Sequence, residues 1–372
     1  MVLITPSARL RRTPFSAAVE AAGVKAYTVY NHMLLPTVFR SLEEDYHHLK
    51  SAVQLWDVAV QRQVELRGPD AGRLMQMLTP RNLTHMNPGQ CFYVPIVDET
   101  GGMLNDPVAI KLAEDRWWVS IADSDLLLWI KAIAYGWRLD VLVDEPDVSP
   151  LAVQGPKAEE LMARVFGDSV KDLKFFRFGI FEHRGKAMPI ARSGYSKQGG
   201  FEVYVEGSEN AMPVWDALME AGRDLDVHPG CPNLIERIEG GLLSYGNDMT
   251  DDNTPHECGL DRFCDIQSAI GCIGRDALLR VDKEGPVQAI RPVEIKGDPV
   301  PSCDRHWPVM ATDKNGNQKR VGRISSAVWS PDFNTNVSIG MIRMTHWDPG
   351  TELTVQTSTG DQEAVVHEKF WA

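Results

Sequence analysis

The sequence predicts an α+β protein of two or three domains that ends in a small β-barrel or jelly roll. Three observations carry this expectation. Helical and strand-like stretches alternate irregularly, without the regular βα rhythm of a doubly wound parallel sheet. A strand–Gly-Pro–helix unit occurs twice. Residues 283–372 are dense in short strand-like runs broken by turns. The length, 372 residues, suits that domain count at about 150 residues per domain and leaves ample material for a buried core.

Taken in order, Arg9, Arg11 and Arg12, with no acid before Glu20, give the start the charge of a transit peptide. The apolar core of a secretory signal is missing, and residues 7–19 read as a helix leading into the first domain. Residues 44–56 look helical. Val64-Glu65-Leu66-Arg67 reads as a strand ended by Gly68-Pro69, and residues 70–78 restore a helical period with Leu74, Met75 and Leu78 inward. Two short strands flank the turn Asp98-Glu99-Thr100-Gly101-Gly102. A strand at 117–121 and a helix at 125–137 follow. Leu151-Ala152-Val153-Gln154-Gly155-Pro156-Lys157 then echoes residues 64–70, each Pro falling near a first helical turn where its missing N–H costs nothing. Such a repeat suggests two related subdomains whose chains interleave. A helix is expected at 234–243. Strands are expected at 287–295, 320–326, 337–342 and 352–356, with turns at Asn315-Gly316 and Pro349-Gly350.

Composition excludes several classes. With 38 basic and 51 acidic side chains the formal charge is −13, which argues against a general nucleic-acid binder. Forty-three per cent apolar and 24% charged residues exclude disordered and fibrous chains. No run approaches the ~20 apolar residues of a bilayer span; the best, residues 126–137, is interrupted by Lys131. The six cysteines contain no CxxC pair and read as reduced thiols of a cytoplasmic protein. His256, Cys258, Cys264 and Cys272 lie near one another in sequence. The gaps between those cysteines fit no usual zinc pair, so no metal is expected. The nucleotide, zinc-protease and serine-hydrolase signatures are missing, and Lys197-Gln198-Gly199-Gly200 lacks the spacing of a phosphate loop.

Three segments can carry chemistry. In Gly101-Gly102-Met103-Leu104-Asn105-Asp106-Pro107, Asn105 and Asp106 either bond their own hairpin backbone or set Asp106 at a pocket rim as a base or electrostatic partner. The run from Arg192 to Tyr204 is rich in glycine and aromatics. Glu202 there can accept two parallel hydrogen bonds from an amidine-like ring edge, with Tyr195 and Tyr204 as flat walls, or the run is a half-exposed sheet face. The acids and asparagines of residues 247–253 resemble a calcium loop but lack EF-hand order, so a structured turn is expected.

Seven motifs occur in order: Gly101-Gly102-x-x-Asn105-Asp106; Gln154-Gly155-Pro156-Lys157; Arg192-Ser193-Gly194-Tyr195 with Gly200-Phe201-Glu202; Arg237-Ile238-Glu239 with Leu243-x-Tyr245-Gly246-x-Asp248-Met249; Gly259-Leu260; Gly274-Arg275-x-Ala277-Leu278; and Gly322-x-Ile324-Ser325-Ser326. This series resembles the tetrahydrofolate-dependent aminomethyltransferases, the T-protein family of glycine cleavage. The resemblance implies three domains around a central folate channel. They would comprise residues 1–64 with 152–232, residues 65–151 with 233–282, and a C-terminal β-domain at 283–372. It implies that Asp106 lies beside the reactive folate nitrogen, that Glu202 binds the pterin and that Tyr195 walls the channel. Tyr93 and Ser120 fall where family members line the pocket.

The chain departs from the family pattern at Ala59-Val60-Gln61 within the segment 57–61, at Asn105 and at Asn233-Leu234, which counts against a partner lipoyl carrier. Its N-terminal block resembles instead the branch of the family that demethylates dimethylsulfoniopropionate: Arg11-Arg12-Thr13-Pro14-Phe15, Ala22-Gly23-Val24 and residues 27–36. The implied reaction moves a methyl group from a sulfonium to the five-position nitrogen of tetrahydrofolate. Tyr30 and Tyr195 would hold the sulfonium by cation–π attraction, and His32, Lys197 or the N-terminal arginines its carboxylate. The implied partners are the two small molecules, with no nucleic acid, no membrane and a homodimeric assembly. The rival expectations are glycine-cleavage aminomethyl transfer, O-demethylation of a methoxy-aromatic acid, and folate binding without turnover.

Overall fold

A computed structural model describes residues 7–372. Central to one part of it is a six-stranded sheet in the order Phe178–His183, Lys186–Ala191, Gly200–Glu206, Val148–Gln154, Val53–Asp57, Val227–Gly230. Its last two strands are parallel and the other neighbours antiparallel. The helices Ala158–Phe166 and Ala211–Ala221 cover one face through a core that includes Leu151, Val153, Leu161, Val203, Val214 and Leu218, all fully buried. The opposite face meets a five-stranded sheet, ordered Leu142–Asp144, Gln63–Arg67, Arg116–Ser120, Val108–Ala113, Gln90–Tyr93, through Ile110, Trp118, Val148 and Tyr204. Sandwiched this way, the central strands are buried on both faces and lose the period-two alternation of a half-exposed sheet.

Main-chain proximity separates two units. One comprises residues up to 72 with 86–92 and 108–233, and the other residues 73–85, 93–107 and 234–372. The second unit holds a closed barrel of six strands: Gln288–Ile295, Thr335–Arg343, Gln318–Ser330, Trp307–Thr312, Glu352–Thr357 and Gly360–Val366, the last returning to the first. Its interior is packed with Val293, Trp307, Val309, Ile324, Ile342 and Val355. Arg237, on the short helix Leu234–Glu239, reaches Asp248 at 3.0 Å and Ser326 at 2.6 Å, and Ser325 and Ser326 both donate to Asp248. Asp248 is fully buried, and its carboxylate also accepts the Ser244 N–H. The acidic loop is therefore a turn whose best-placed oxygens are already taken.

The expected repeat is present as strand Gln63–Arg67 leading to helix Ala71–Leu78, and strand Val148–Gln154 leading to Ala158–Phe166. A Cβ on Gly68 would meet the Asp140 carbonyl at 2.5 Å, and one on Gly155 the Ala52 carbonyl at 2.4 Å. Both repeats thus need glycine for the same close approach of backbone to backbone.

Three expectations are corrected. The helix read over 44–56 ends at Ser51; it begins at Leu42, capped by Ser41, whose hydroxyl accepts the Glu44 N–H at 3.1 Å. Residues 53–57 are a sheet strand buried at every position. The helix read over 7–19 is Ser16–Ala21, because Pro14 breaks the run and Arg11 instead donates its N–H to the His32 carbonyl at 2.7 Å. The helix expected to reach 243 stops at Glu239, ahead of Gly240-Gly241. Among the described residues no helix is long and apolar enough to cross a membrane, and all six cysteines are free.

Candidate active site

Glu202 stands on the strand Gly200–Glu206 opposite Ala152 and Ala191 and is buried. The donors to its carboxylate among the described residues, Ser193 and Tyr204, both address Oε2, the Ser193 bond being very short and the Tyr204 bond 3.3 Å. Burial pushes this carboxyl above the usual range, and the two donors pull against that rise. Tyr204 is itself fully buried, its ring 6.0 Å from Trp118. Burial and then the Glu202 charge hold its hydroxyl protonated far above neutrality. The flat wall expected of Tyr204 is thus a hydrogen-bonded core residue. Ser120 is buried beside it, bonded to Tyr204 and accepting Gln63 Nε2 at 2.9 Å. Tyr195 is half-buried and packs on Leu49, Trp56, Val58 and Ala152.

Asp106 follows the strand Met103–Asn105 in the second unit. Tyr93 donates to its Oδ2 at 2.7 Å. The Tyr93 ring meets Phe263 edge-on at 5.1 Å, and its carbonyl accepts Arg81 at 2.6 Å, so the phenol has little freedom to leave. Burial pushes the Asp106 carboxyl up to about 7; the Tyr93 bond opposes the rise and the charge of Asp248 adds to it. A carboxyl near 7 exchanges protons at neutral pH, which is what a proton acceptor requires.

Tyr30 closes the strand Ala26–Tyr30, and His32 lies in the two-residue turn that joins it to the strand Met33–Val38. Both turn residues, Asn31 and His32, have positive φ (48° and 63°), the mirror-image turn that suits a twisted hairpin and that Asn tolerates. Asn31 is buried and fixes the hairpin: its amide donates to the Val60 and Ala122 carbonyls, and its N–H to Asp123 at 2.7 Å. His32 is exposed, 3.9 Å from Asp125. Arg11 and Arg62 both bind Glu145, and Arg12 binds Glu20.

The predicted residues thus fall into three groups, Glu202 with Tyr204 and Ser120, Asp106 with Tyr93, and the Tyr30–His32 hairpin, with Tyr195 apart on its own apolar cluster. Sequence reasoning missed Ser193 and Asn31. The Ser-Gly-Tyr motif and the Asn-His pair before an apolar strand were the available signals.

Among the described residues one side-chain set brings three metal-type atoms within 4.8 Å of one another: His48, Asp226 and His228. Gln54 fixes the His48 ring. Its Oε1 accepts Trp56 and its Nε2 donates to the Asp45 carbonyl, so Nε2 also donates to His48 Nδ1 at 3.2 Å. The ring proton then sits on His48 Nε2 and goes to the Asp226 carbonyl at 2.9 Å. That atom offers a proton rather than a lone pair to a cation.

The family descriptions "GCVT N-terminal domain" and "Glycine cleavage T-protein C-terminal barrel domain" match residues 15–268 and 290–371. The chain belongs to the glycine cleavage T-protein family. It is 56% identical over 371 residues, the full length of both chains, to the dimethylsulfoniopropionate demethylase of Ruegeria pomeroyi. It is 27% identical over 368 residues to an aminomethyltransferase of Clostridium botulinum, covering 97% of this chain and 96% of that one. The crystal structure of the glycine cleavage system aminomethyltransferase T from Bartonella henselae superposes with a TM-score of 0.85 at 23% identity, covering 98% of each chain. That likeness shows the T-protein fold, as the motif series implied.

The segment that includes the departing residues 59–61, and the departing Asn233, are tied into the structure by hydrogen bonds. Asp57 accepts Thr13 Oγ1 at 2.5 Å, and the Val60 carbonyl accepts Asn31. Residues 57–61 therefore hold the N-terminal block that carries the resemblance to the demethylase branch. Asn233 donates to the Leu42 carbonyl at 2.9 Å.

Proposed function

We propose that the chain is a tetrahydrofolate-dependent methyltransferase that demethylates dimethylsulfoniopropionate to methylmercaptopropionate, with 5-methyltetrahydrofolate as the second product. The full-length 56% identity to an enzyme of that name carries the reading.

A sulfonium leaves as a neutral thioether and needs no acid at sulfur. Most of the rate gain in such a direct in-line displacement comes from orienting two bound molecules. The pterin edge, an amino group beside a ring N–H, matches a buried carboxylate acceptor, and Glu202 fills that role, oriented by Ser193 and Tyr204. Positive charge passes from sulfur to nitrogen in the step, so a carboxylate beside the nitrogen favours the transition state over the ground state. Asp106 is that group, and it takes the proton the methylated nitrogen sheds; Tyr93 fixes its Oδ2. Tyr195 and Tyr30 hold the sulfonium with their ring faces, worth about 0.5–2 kcal/mol each, and His32 meets its carboxylate. Ser120 supports Tyr204. We further propose a cytoplasmic homodimer without a metal, and the three-part domain division stated above.

The test is anaerobic incubation of the purified protein with tetrahydrofolate and dimethylsulfoniopropionate, followed by mass spectrometry. Stoichiometric 5-methyltetrahydrofolate and methylmercaptopropionate are expected. Folate binding without methyl transfer would discard the sulfonium and direct attention to methoxy-aromatic and glycine-derived donors.

A further inference from the structure

Gln154 ends the strand Val148–Gln154 and is fully buried, yet no step of the reaction uses it. Its amide is saturated by one loop and its flanks. Nε2 lies 3.2 Å from the Ser193 carbonyl, 3.3 Å from that of Val153 and 3.5 Å from that of Phe201. Oε1 accepts the Ser196 hydroxyl at 2.7 Å. The next residue continues the clamp, the Gly155 N–H donating to the Gly199 carbonyl at 3.1 Å. Two glycines of the same loop are backed onto the amide: a Cβ at position 194 would come within 2.1 Å of Gln154 Nε2, and one at 200 within 2.5 Å. The run Ser193-Gly194-Tyr195-Ser196-Lys197-Gln198-Gly199-Gly200 is therefore shaped around one side chain.

What the clamp holds is the link to Glu202. The Ser193 carbonyl is bound by Gln154, and the Ser193 hydroxyl donates to Glu202 Oε2. Tyr195 lies between the two serines that Gln154 grips. An amide suits this place because it donates to carbonyls and accepts from a hydroxyl at once; a carboxylate would repel the carbonyls, and an apolar chain would do neither.

We propose that Gln154 is a positioning residue of the folate site, setting the 193–200 loop so that Ser193 holds the Glu202 carboxylate in its pterin-binding orientation. This rests on Glu202 being the pterin acceptor. Acting through Ser193, Gln154 governs folate affinity and leaves the in-line step to other groups.

The test is a double-mutant cycle of Gln154→Met and Glu202→Gln in the full chain, with tetrahydrofolate Kd by anaerobic titration, kcat at saturating folate, and circular dichroism to establish folding. Gln154→Met is expected to raise the Kd about ten-fold in the wild-type background and less than about two-fold beside Glu202→Gln. The kcat at saturating folate should fall by a smaller factor than the affinity. An equal loss in both backgrounds would make the clamp a general scaffold element and overturn the proposal, as would an unchanged Kd. If Glu202→Gln weakens folate and Gln154→Met does not, the positioning role alone fails. If Glu202→Gln changes nothing, the pterin assignment fails and takes the proposal with it. Should Gln154→Met not fold, Ser196→Ala removes one bond of the clamp and enters the same cycle, with about a three-fold loss expected on the same grounds.

Discussion

Replacing Tyr93 by Phe removes the 2.7 Å hydrogen bond to Asp106 while retaining the ring that packs on Phe263. A hydrogen bond to a charged group is worth about 1.5–3 kcal/mol, and about 1.4 kcal/mol corresponds to one pKa unit. The carboxyl already stands at about 7 because burial outweighs the Tyr93 bond. Without that bond it moves up by about one to two units, to roughly 8–9. The ionised form is the one that stabilises developing positive charge and accepts the proton, so activity rises with pH, and the acid limb of kcat/KM moves to the alkaline side by the same interval. At pH 7 the ionised fraction drops from about one half to about one tenth or less, a loss in kcat/KM of roughly five- to fifty-fold. The two profiles converge as pH rises. Anaerobic initial rates across the neutral range, with 5-methyltetrahydrofolate quantified by mass spectrometry, read both limbs. A loss of equal size at every pH, with the limb unmoved, would refute Asp106 as the titrating group.

Other substitutions test other parts of the structure. Folding raises the Asp106 carboxyl from 3.8 to about 7, so the native state holds its proton more tightly than the unfolded chain and stability falls as pH rises through that interval. Asp106→Asn removes this penalty: its Tm at pH 8 should exceed that of the wild type by ~2 °C or more while turnover falls, with a smaller gain near pH 4; calorimetry showing one constant difference at both would count against it. Asn31→Ala breaks the bonds to Val60 and Ala122 and places Ala at φ 48°. The sulfonium KM should rise several-fold with tetrahydrofolate Kd nearly unchanged, and the opposite pattern would remove the hairpin from substrate binding. Asp248→Ala leaves Arg237 buried without its carboxylate, so urea unfolding should report about 3–5 kcal/mol less stability; a loss below about 1 kcal/mol would mean that Ser326 and the Leu242 carbonyl suffice for the guanidinium.

How much of this was legible in the sequence depended on how each segment meets water. Glu352–Thr357, whose first residues alternate between outside and inside, kept enough pattern to be read, and the almost wholly buried Gln63–Arg67 was read from the Gly68-Pro69 that ends it. Val53-Gln54-Leu55-Trp56-Asp57 is buried at every position, and an apolar run without alternation continues a helical period as readily as it makes a strand. Gly360–Val366 was missed for the opposite reason: its first half is exposed and acidic, and only the closure of the barrel recruits it. Asp106 and Glu202 stood out as acids beside glycine-rich turns, but the fate of Tyr204 did not, because Gly200–Glu206 is buried on both faces at its centre and sequence assigns no outer side to it. Gln154 is an uncharged polar residue whose loop partners, Ser193 and Ser196, lie about forty residues away in sequence.

The closed ring of six strands also sets how the second unit breathes. Each barrel strand is paired on two sides, whereas the five-stranded sheet ends on the three-residue strand Leu142–Asp144, paired on one side only among the described residues. Amides of Leu142–Asp144 can exchange with solvent by local fraying, while those facing neighbours around the ring must wait for hydrogen-bonded ladders to part together. In deuterium labelling the strands Thr335–Arg343 and Gln318–Ser330 should therefore be the slow-exchanging heart of their unit. Their protection should collapse as one cooperative step rather than strand by strand.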